Sequence, residues 1–206
     1  MKEIIIKHAR QKRSQHTIDR ILQATAHILH AKGFEKTTTA DIAIEAELGV
    51  ASIYDYFSCK EALVIALVDH ELKHCLARVL STVEDSNDNA AASLEALLNE
   101  GVKFAMDHQA LLRVLFLSMP EYIPAIDLHH SRASIEKIAQ AYSLRFPQQL
   151  QAIEDEQQLA LLMYSLNNIV MGFQFRIAIL QDQSFDQNSI VKQLMTIISP
   201  LVIKTA

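Results

Sequence analysis

Apolar residues recur at helical spacing along almost the whole chain. From Ile18 they fall three and four residues apart as far as Gly33, which predicts a first helix that ends at this glycine. With only four glycines, four prolines and no alternating apolar–polar segment, the sequence favours an all-α fold. The same spacing predicts further long helices over residues 61–80, 90–107, 109–117, 126–146, 159–180 and 190–202.

Between the first helix and the long ones, two short helical segments flank a tight turn. Thr38 and Asp41 have the spacing of a capping box, which predicts a second helix that runs through Ala46. After a turn at residues 47–49, a third helix is expected from residue 50 to about residue 57. This order predicts a helix-turn-helix motif at about residues 38–57. We therefore expect an N-terminal helix-turn-helix domain at residues 1–60 and a C-terminal helical ligand-binding and dimerisation bundle at residues 61–206.

The last two predicted helices are apolar on two faces. A helix of this kind must be covered on both faces, and in a chain of 206 residues a second subunit can provide the second cover. The alternative is that both faces pack inside one bundle. For the homodimer, the predicted interface consists of Leu161, Ser165, Asn168, Gly172, Phe175, Ile179, Ile190, Leu194, Ile197 and Leu201.

Charge is distributed unevenly between the two predicted domains. Residues 1–60 carry nine Lys and Arg against seven Asp and Glu, whereas residues 61–206 carry ten against seventeen. The first twenty residues hold six cations and two carboxylates. A basic N-terminal arm on an acidic body is typical of a protein that binds a polyanion at one end.

Cysteine use and hydropathy predict a cytoplasmic protein. The two cysteines, Cys59 and Cys75, are too few for a disulfide framework, which favours a reducing compartment. The three apolar residues at 4–6 are too few for a signal peptide. The most apolar run, residues 159–180, contains Asn, Gln and Arg, so we interpret it as a buried helix without a membrane role. No motif predicts a cofactor.

The segment "TTADIAIEAELGVASIYDYFSCKEAL" resembles the DNA-binding segment of the TetR family of transcriptional repressors. The features that carry the resemblance are the Thr pair, "DIA", "EA", "SIYDYF" and "KEAL", within a match over roughly residues 14–68. The chain departs from the family at the turn, where Glu47-Leu48-Gly49 replaces the Gly-Val-Ser of many members. The resemblance implies a double-stranded DNA operator as partner, and repression as the usual mode of action.

The residue types of this segment suit DNA. Val50 and Ala51 can contact thymine methyl groups, and hydroxyls and cations near helix ends can bind phosphates. The resemblance implies phosphate contacts by Thr39, Tyr54, Tyr56 and Lys60, although Tyr54 could equally be a half-buried core residue. The full predicted DNA-binding set is Thr38, Thr39, Gly49, Val50, Ala51, Ser52, Tyr54, Tyr56 and Lys60, together with Lys12 and Arg13 of the basic arm.

A regulator of this kind is expected to respond to a small, partly apolar effector. Binding in the C-terminal bundle would tilt the helix at 61–80, change the spacing of the two recognition helices in the dimer, and release a palindromic operator. The predicted pocket residues are Met106, Phe116, Met119, Tyr122, Met163, Tyr164, Asn167 and Phe173.

Two other functions remain open at this point. His70, Glu71 and His74 match the H-E-x-x-H pattern of a zinc-dependent hydrolase. The chain could also be an architectural or partner-recruiting DNA-binding factor without an effector. Since no nucleophile or nucleotide-binding motif is present, we expect a protein that is not an enzyme and that holds no metal.

Overall fold

The computed structural model describes the backbone of residues 12–85, 89–126, 132–150, 156–180, 184 and 186–204. Over these residues the chain is helical, and its only β-pairing is an isolated bridge between Leu150 and Ile203. The expected all-α fold is therefore confirmed. The helices are α1 (Lys12–Lys36), α2 (Thr39–Glu45), α3 (Val50–Tyr54), α4 (Lys60–Asp85), α5 (Ala90–Asp107), α6 (Gln109–Arg113), α7 (Ile123–Ile126), α8 (Arg132–Arg145), α9 (Glu156–Leu180) and α10 (Gln187–Val202).

Local sequence signals explain the first helix boundaries. Gly33 has φ 72° and ψ 168°, so it breaks the helical backbone of α1 near its end, as the sequence predicts. The capping box before α2 is also confirmed. The Asp41 N–H donates to Thr38 Oγ1 at 3.1 Å, and the Thr38 N–H donates to Asp41 Oδ2 at 3.2 Å.

Several other boundaries differ from the prediction. The third helix ends at Tyr54 and continues as a turn, and α4 extends to Asp85. After α6 the chain winds into a π-helical turn, Val114–Ser118, followed by a 3-10 turn at Pro120–Tyr122. Pro at the first position suits this second turn because its missing N–H would be unpaired there anyway.

The buried side chains form two cores that share one helix. The N-terminal core lies between α1, α2, α3, the first half of α4, and α6 with the π-helical turn. The C-terminal core lies between the second half of α4 and helices α5, α8, α9 and α10. Residues 62–68 of α4 belong to the first core, whereas Val83 belongs to the second. A continuous helix therefore connects the two predicted domains.

None of the described helices combines the length and the apolar character needed to cross a bilayer.

Candidate nucleic-acid interface and ligand cavity

Helix α3 is held in place by its inner face and leaves its outer face free. Ile53 is 0% exposed and Phe57, just beyond the helix, is 1% exposed, so both anchor the segment in the N-terminal core. On the other side, Val50, Ala51 and Tyr54 are exposed. A five-residue helix has little stability of its own, so this anchoring fixes its position.

The turn before α3 has a strained residue and a brace. Glu47 has φ 52°, a left-handed backbone that costs a non-glycine residue about 1 kcal/mol. Arg20 of α1 reaches this turn, where its guanidinium donates to the Ala46 carbonyl and pairs with the Glu47 carboxylate at 3.3 Å. Gly49 then serves as N-cap of α3, with no side-chain cap. The sequence does not indicate this role of Arg20, because nothing in its spacing distinguishes it from a solvated arginine.

Two hydroxyl groups meet at the edge of this unit. Thr39 Oγ1 at the start of α2 and the Tyr54 hydroxyl at the end of α3 are 3.1 Å apart. Tyr54 is 53% exposed, so it is not a core aromatic, whereas Tyr56 is half-buried against the N-terminal core. Ser52 is half-buried on α3. Thr38, by contrast, uses its hydroxyl within the capping box.

An ion pair fastens α2 to the end of α1. Lys32 Nζ lies 2.6 Å from Asp41 Oδ1. The hydrogen bonds from Lys32 and from Thr38 lower the pKa of the Asp41 carboxyl below its ordinary value. His27 and Glu45 form a second pair between the same two helices.

Lys60 has an internal partner that the sequence did not indicate. Its ammonium donates to the Phe34 carbonyl at 2.8 Å and lies 4.1 Å from the centroid of the Phe34 ring. One of its three N–H donors therefore satisfies a backbone carbonyl near the end of α1, and the other two are available for a phosphate. The side chains of Lys12 and Arg13 lie outside the described residues.

A partly open cavity of about 200 Å³ lies beside α4 in the C-terminal body. Most of its lining is aliphatic. Its polar lining consists of Cys75, Ser134, Asn167 and Gln174, and no charged side chain is among the lining residues that the structure describes. The remaining lining residues are Val68, Leu72, Leu76, Val79, Leu94, Leu97, Leu98, Gly101, Phe104, Leu111, Leu112, Ile123, Ile135, Ile138, Met163, Leu166, Val170 and Met171.

The structure places the eight predicted pocket residues in different environments. Met163 and Asn167 line the cavity. Met119 is 1% exposed in the N-terminal core, and Tyr122 packs against that core. Phe116 meets Phe175 edge to face, with ring centroids 5.5 Å apart. The other three, Met106, Tyr164 and Phe173, are partly buried against the C-terminal core without lining the cavity.

The predicted dimer residues divide between surface and core. On α9, the residues Leu161, Ser165, Asn168, Gly172 and Phe175 are exposed and Ile179 is half-buried; on α10, Ile197 and Leu201 are exposed. Ile190 and Leu194 are instead 5% and 0% exposed within the chain's own C-terminal core. The prediction that Ile190 and Leu194 face a second subunit is therefore corrected, because α10 packs the side that carries them against α5.

The H-E-x-x-H residues make other contacts. The rings of His70 and His74 lie with centroids 4.4 Å apart. Glu71, which a hydrolase would use as general base, accepts a hydrogen bond from His108 Nε2 at 3.1 Å. Across the described ranges, no three His, Cys, Asp or Glu side chains are grouped as a metal site would need.

Comparison with known proteins agrees with this geometry. Residues 21–67 match the model of bacterial regulatory proteins of the tetR family. Over 96 residues the chain is 30% identical to the nucleoid occlusion factor SlmA of Pasteurella multocida, covering 46% of this chain and 48% of that protein. Over 124 residues it is 28% identical to the HTH-type transcriptional regulator YvdT of Bacillus subtilis, covering 60% of each. The chain thus spans about half the length of the curated relatives it matches.

A solved structure shows the same fold over nearly the whole chain. The TetR-family transcriptional regulator from Mesorhizobium loti superposes with a TM-score of 0.74 at 16% identity, covering 94% of this chain and 100% of that one. The anchored α2–turn–α3 unit on a helical body defines an all-α helix-turn-helix protein. Residues 21–67 therefore match the tetR family of bacterial regulatory proteins, and the rest of the chain shares the fold of this solved regulator.

Proposed function

We propose that the protein is a homodimeric transcriptional regulator, a repressor that binds a palindromic operator through α3 and is released by a small effector. The observation that carries this proposal is the outer face of α3, which is exposed while Ile53 and Phe57 hold the helix from inside. A recognition helix needs this combination, since it must enter the major groove without changing its position on the domain.

The exposed side chains of α3 fit direct reading of bases. Val50 and Ala51 are small and apolar, so they can pack against thymine methyl groups without hydrogen-bond demands. The Ser52 hydroxyl can donate to or accept from a base edge. The Thr39 and Tyr54 hydroxyls, 3.1 Å apart, can donate together to one phosphate at the edge of the groove.

Helix α4 supports the proposed link between effector and operator. Its first half packs in the N-terminal core, and Leu72, Cys75, Leu76 and Val79 farther along it line the cavity. A second link runs through His108, which stacks on the cavity residue Phe104 and hydrogen-bonds Glu71 of α4. A molecule that displaces the cavity wall would therefore move α4, and with it the helix-turn-helix unit.

The outward apolar side chains of α9 and α10 support a homodimer. Leu161 is 67% exposed, Phe175 45% and Leu201 53%, while Gly172 between them leaves space for close approach. We expect Leu161→Glu combined with Leu201→Glu to yield monomers in analytical ultracentrifugation. Leu144→Glu, on the exposed side of α8, is the matched control and should leave the dimer intact. A dimer that survives the double substitution would refute this interface.

The central experiment is selection of bound sequences from random double-stranded DNA, followed by release assays with a panel of metabolites. The proposal predicts enrichment of a palindrome and its release by at least one compound. Failure to enrich any palindrome would refute the regulator function.

A matched pair of substitutions tests the role of α3 itself. Ala51→Glu places a carboxylate on the face that enters the groove, so affinity for the selected operator should fall about 100-fold or more. Ala92→Glu, at an exposed position of α5, adds the same charge elsewhere and should change affinity less than about threefold. Circular dichroism should show both variants folded; equal affinities would exclude α3 as the reading element.

A second candidate function is DNA binding without effector release. The similarity to SlmA, which bears the name of a nucleoid occlusion factor, favours this alternative. It predicts an enriched palindrome from which no compound releases the protein. The release assay therefore decides between the two.

A further inference from the structure

We propose that the cavity takes an uncharged, mostly apolar molecule carrying one hydrogen-bonding group, an amide or a hydroxyl, which Asn167 recognises. This inference rests on the proposed function for its regulatory meaning, but binding itself can be tested without DNA. Its basis is the chemistry of the lining and the free amide of Asn167.

The lining excludes a charged ligand. None of the described lining residues is ionised, so a buried carboxylate or ammonium would lose its hydration and gain no counter-ion. Arg78 is the cation close enough to influence the Cys75 thiol, but its guanidinium is bound to Glu100 at 2.7 Å. Burial raises the pKa of Cys75, so this part of the wall already disfavours charge.

Asn167 supplies an unused pair of hydrogen-bonding groups. Among the described residues, its amide has no hydrogen-bond partner, whereas the neighbouring Gln174 donates its Nε2–H to the Gly101 carbonyl at 3.3 Å. A side-chain amide offers both a donor and an acceptor. A ligand amide or hydroxyl can satisfy both, while the aliphatic remainder of the cavity takes an alkyl or ring body.

The size of the cavity limits the ligand to a compact molecule. Its volume of about 200 Å³ lies below the roughly 300–1,000 Å³ of most drug-sized sites. The lining residues Met163 and Met171 have flexible side chains, which allow modest expansion around the bound molecule.

The test compares four probes with the same eight-carbon chain at pH 7.5: octanamide, 1-octanol, octanoate and octylammonium. Binding to the full-length protein is measured from the concentration dependence of the thermal unfolding temperature. We expect the two neutral probes to bind at least 10-fold more tightly than either ion. Binding of octanoate or octylammonium within threefold of octanamide, or no shift with any probe, would overturn the proposal.

Adjacent asparagines provide the matched variants. Asn167→Leu should weaken octanamide binding about 10-fold or more, whereas Asn168→Leu, on the exposed face of α9, should not change it. If Asn167→Leu does not fold, binding is measured instead by the protection of Cys75 from a thiol reagent. In a Cys59→Ser variant, Cys75 is the sole cysteine, and octanamide but not octanoate should slow its reaction with a thiol reagent. Equal reaction rates with the two probes would contradict the proposal.

Release of operator DNA is then measured separately with the probe that binds best. Binding without release leaves the ligand class standing and refutes effector control. Release by octanoate with no effect of octanamide leaves effector control standing and refutes the ligand class.

Discussion

The two cores of this protein are packed to different degrees, although both are built from aliphatic side chains of helices. In the N-terminal core, residues such as Ile21, Ile42 and Ile53 are fully buried around the helix-turn-helix unit. Beside the C-terminal core, residues of helices α4 to α9 line a cavity of about 200 Å³, and the N-terminal core contributes Val68 and Leu111 to its wall. A closely packed core has one arrangement, whereas a wall beside a cavity can move into it. The difference suits a rigid helix-turn-helix unit attached to a C-terminal core that can rearrange.

The largest test of this comparison truncates one side chain in each core. Ile53→Ala should reduce the free energy of unfolding by about 3–4 kcal/mol, because it leaves a void among fully buried neighbours. Leu97→Ala, beside the cavity and only partly buried, should cost about 1–2 kcal/mol. Urea denaturation measures both. Equal losses would show that the two cores are equally sensitive to truncation.

The second test concerns the brace at the turn. Arg20→Gln removes the bond to the Ala46 carbonyl and the pair with Glu47, so the strained backbone of Glu47 loses its support. We expect a loss of about 1–2 kcal/mol and weaker binding to the selected operator, because the turn orients α3. Stability follows from denaturation and affinity from a DNA titration.

Arg78→Gln in the C-terminal body is the matched control. It breaks an exposed ion pair with Glu100, which should be worth less than about 1 kcal/mol. Operator affinity should not change. If Arg20→Gln were no more harmful than Arg78→Gln, the turn would hold its shape without the brace.

The helix-turn-helix unit was predictable because its signals are local. A capping box, a glycine stop and an apolar stripe each act within a few residues, and the structure confirms the capping box at Thr38 and the break at Gly33. The positive φ of Glu47 was not predictable, because the residue that supports it, Arg20, lies 27 positions away in sequence. Contacts of that kind depend on how helices pack.

The cavity was largely unpredictable for a related reason. Periodicity shows which side of a helix is apolar, but it cannot show where two apolar sides fail to meet. Met163 and Asn167 line the cavity, whereas Met119, an equally plausible candidate, fills the N-terminal core. On α10, apolar residues lie on both sides, and only packing against α5 decides that Leu194 is buried while Leu201 is exposed.

A third, smaller test uses two glycines within helices. Gly172→Ala on α9 should stabilise the protomer by about 1 kcal/mol, since nothing lies within 4 Å of the added Cβ and alanine favours the helix. Gly101→Ala on α5 places its Cβ 3.2 Å from Val170 Cγ1, so part of this gain is lost. Gly101 and Val170 both line the cavity, so the Val170 side chain can shift into it. We therefore expect about 0.5 kcal/mol of net stabilisation.

The measurement is thermal unfolding of each variant at a fixed protein concentration. A clear destabilisation by Gly101→Ala would mean that the cavity wall is as unyielding as the N-terminal core. Because Gly172 lies on the proposed dimer face, the oligomeric state of its variant must be checked in the same experiment.

The smallest expected effect comes from two helix-capping carboxylates, one in each region. Hydrogen bonds from Lys32 and Thr38 lower the pKa of Asp41, and hydrogen bonds from the backbone and hydroxyl of Ser189 lower that of Asp186. A carboxyl whose pKa is lowered in the folded state stabilises the protein at pH values above its ordinary pKa of 3.8. This stability is lost as the pH falls through the lowered pKa. Asp41→Asn and Asp186→Asn should each reduce the loss of stability between pH 5 and pH 2.

Asparagine is the appropriate substitute because it can still cap a helix, so the comparison isolates the charge. Unfolding followed by both far-ultraviolet circular dichroism and tyrosine fluorescence then shows how the two cores are connected. If α4 makes them one cooperative unit, both substitutions shift a single transition by similar amounts. If the C-terminal core unfolds first, Asp186→Asn should shift the earlier transition alone and Asp41→Asn the later one. Two separate transitions would establish that the cavity-bearing region can rearrange while the helix-turn-helix unit stays folded.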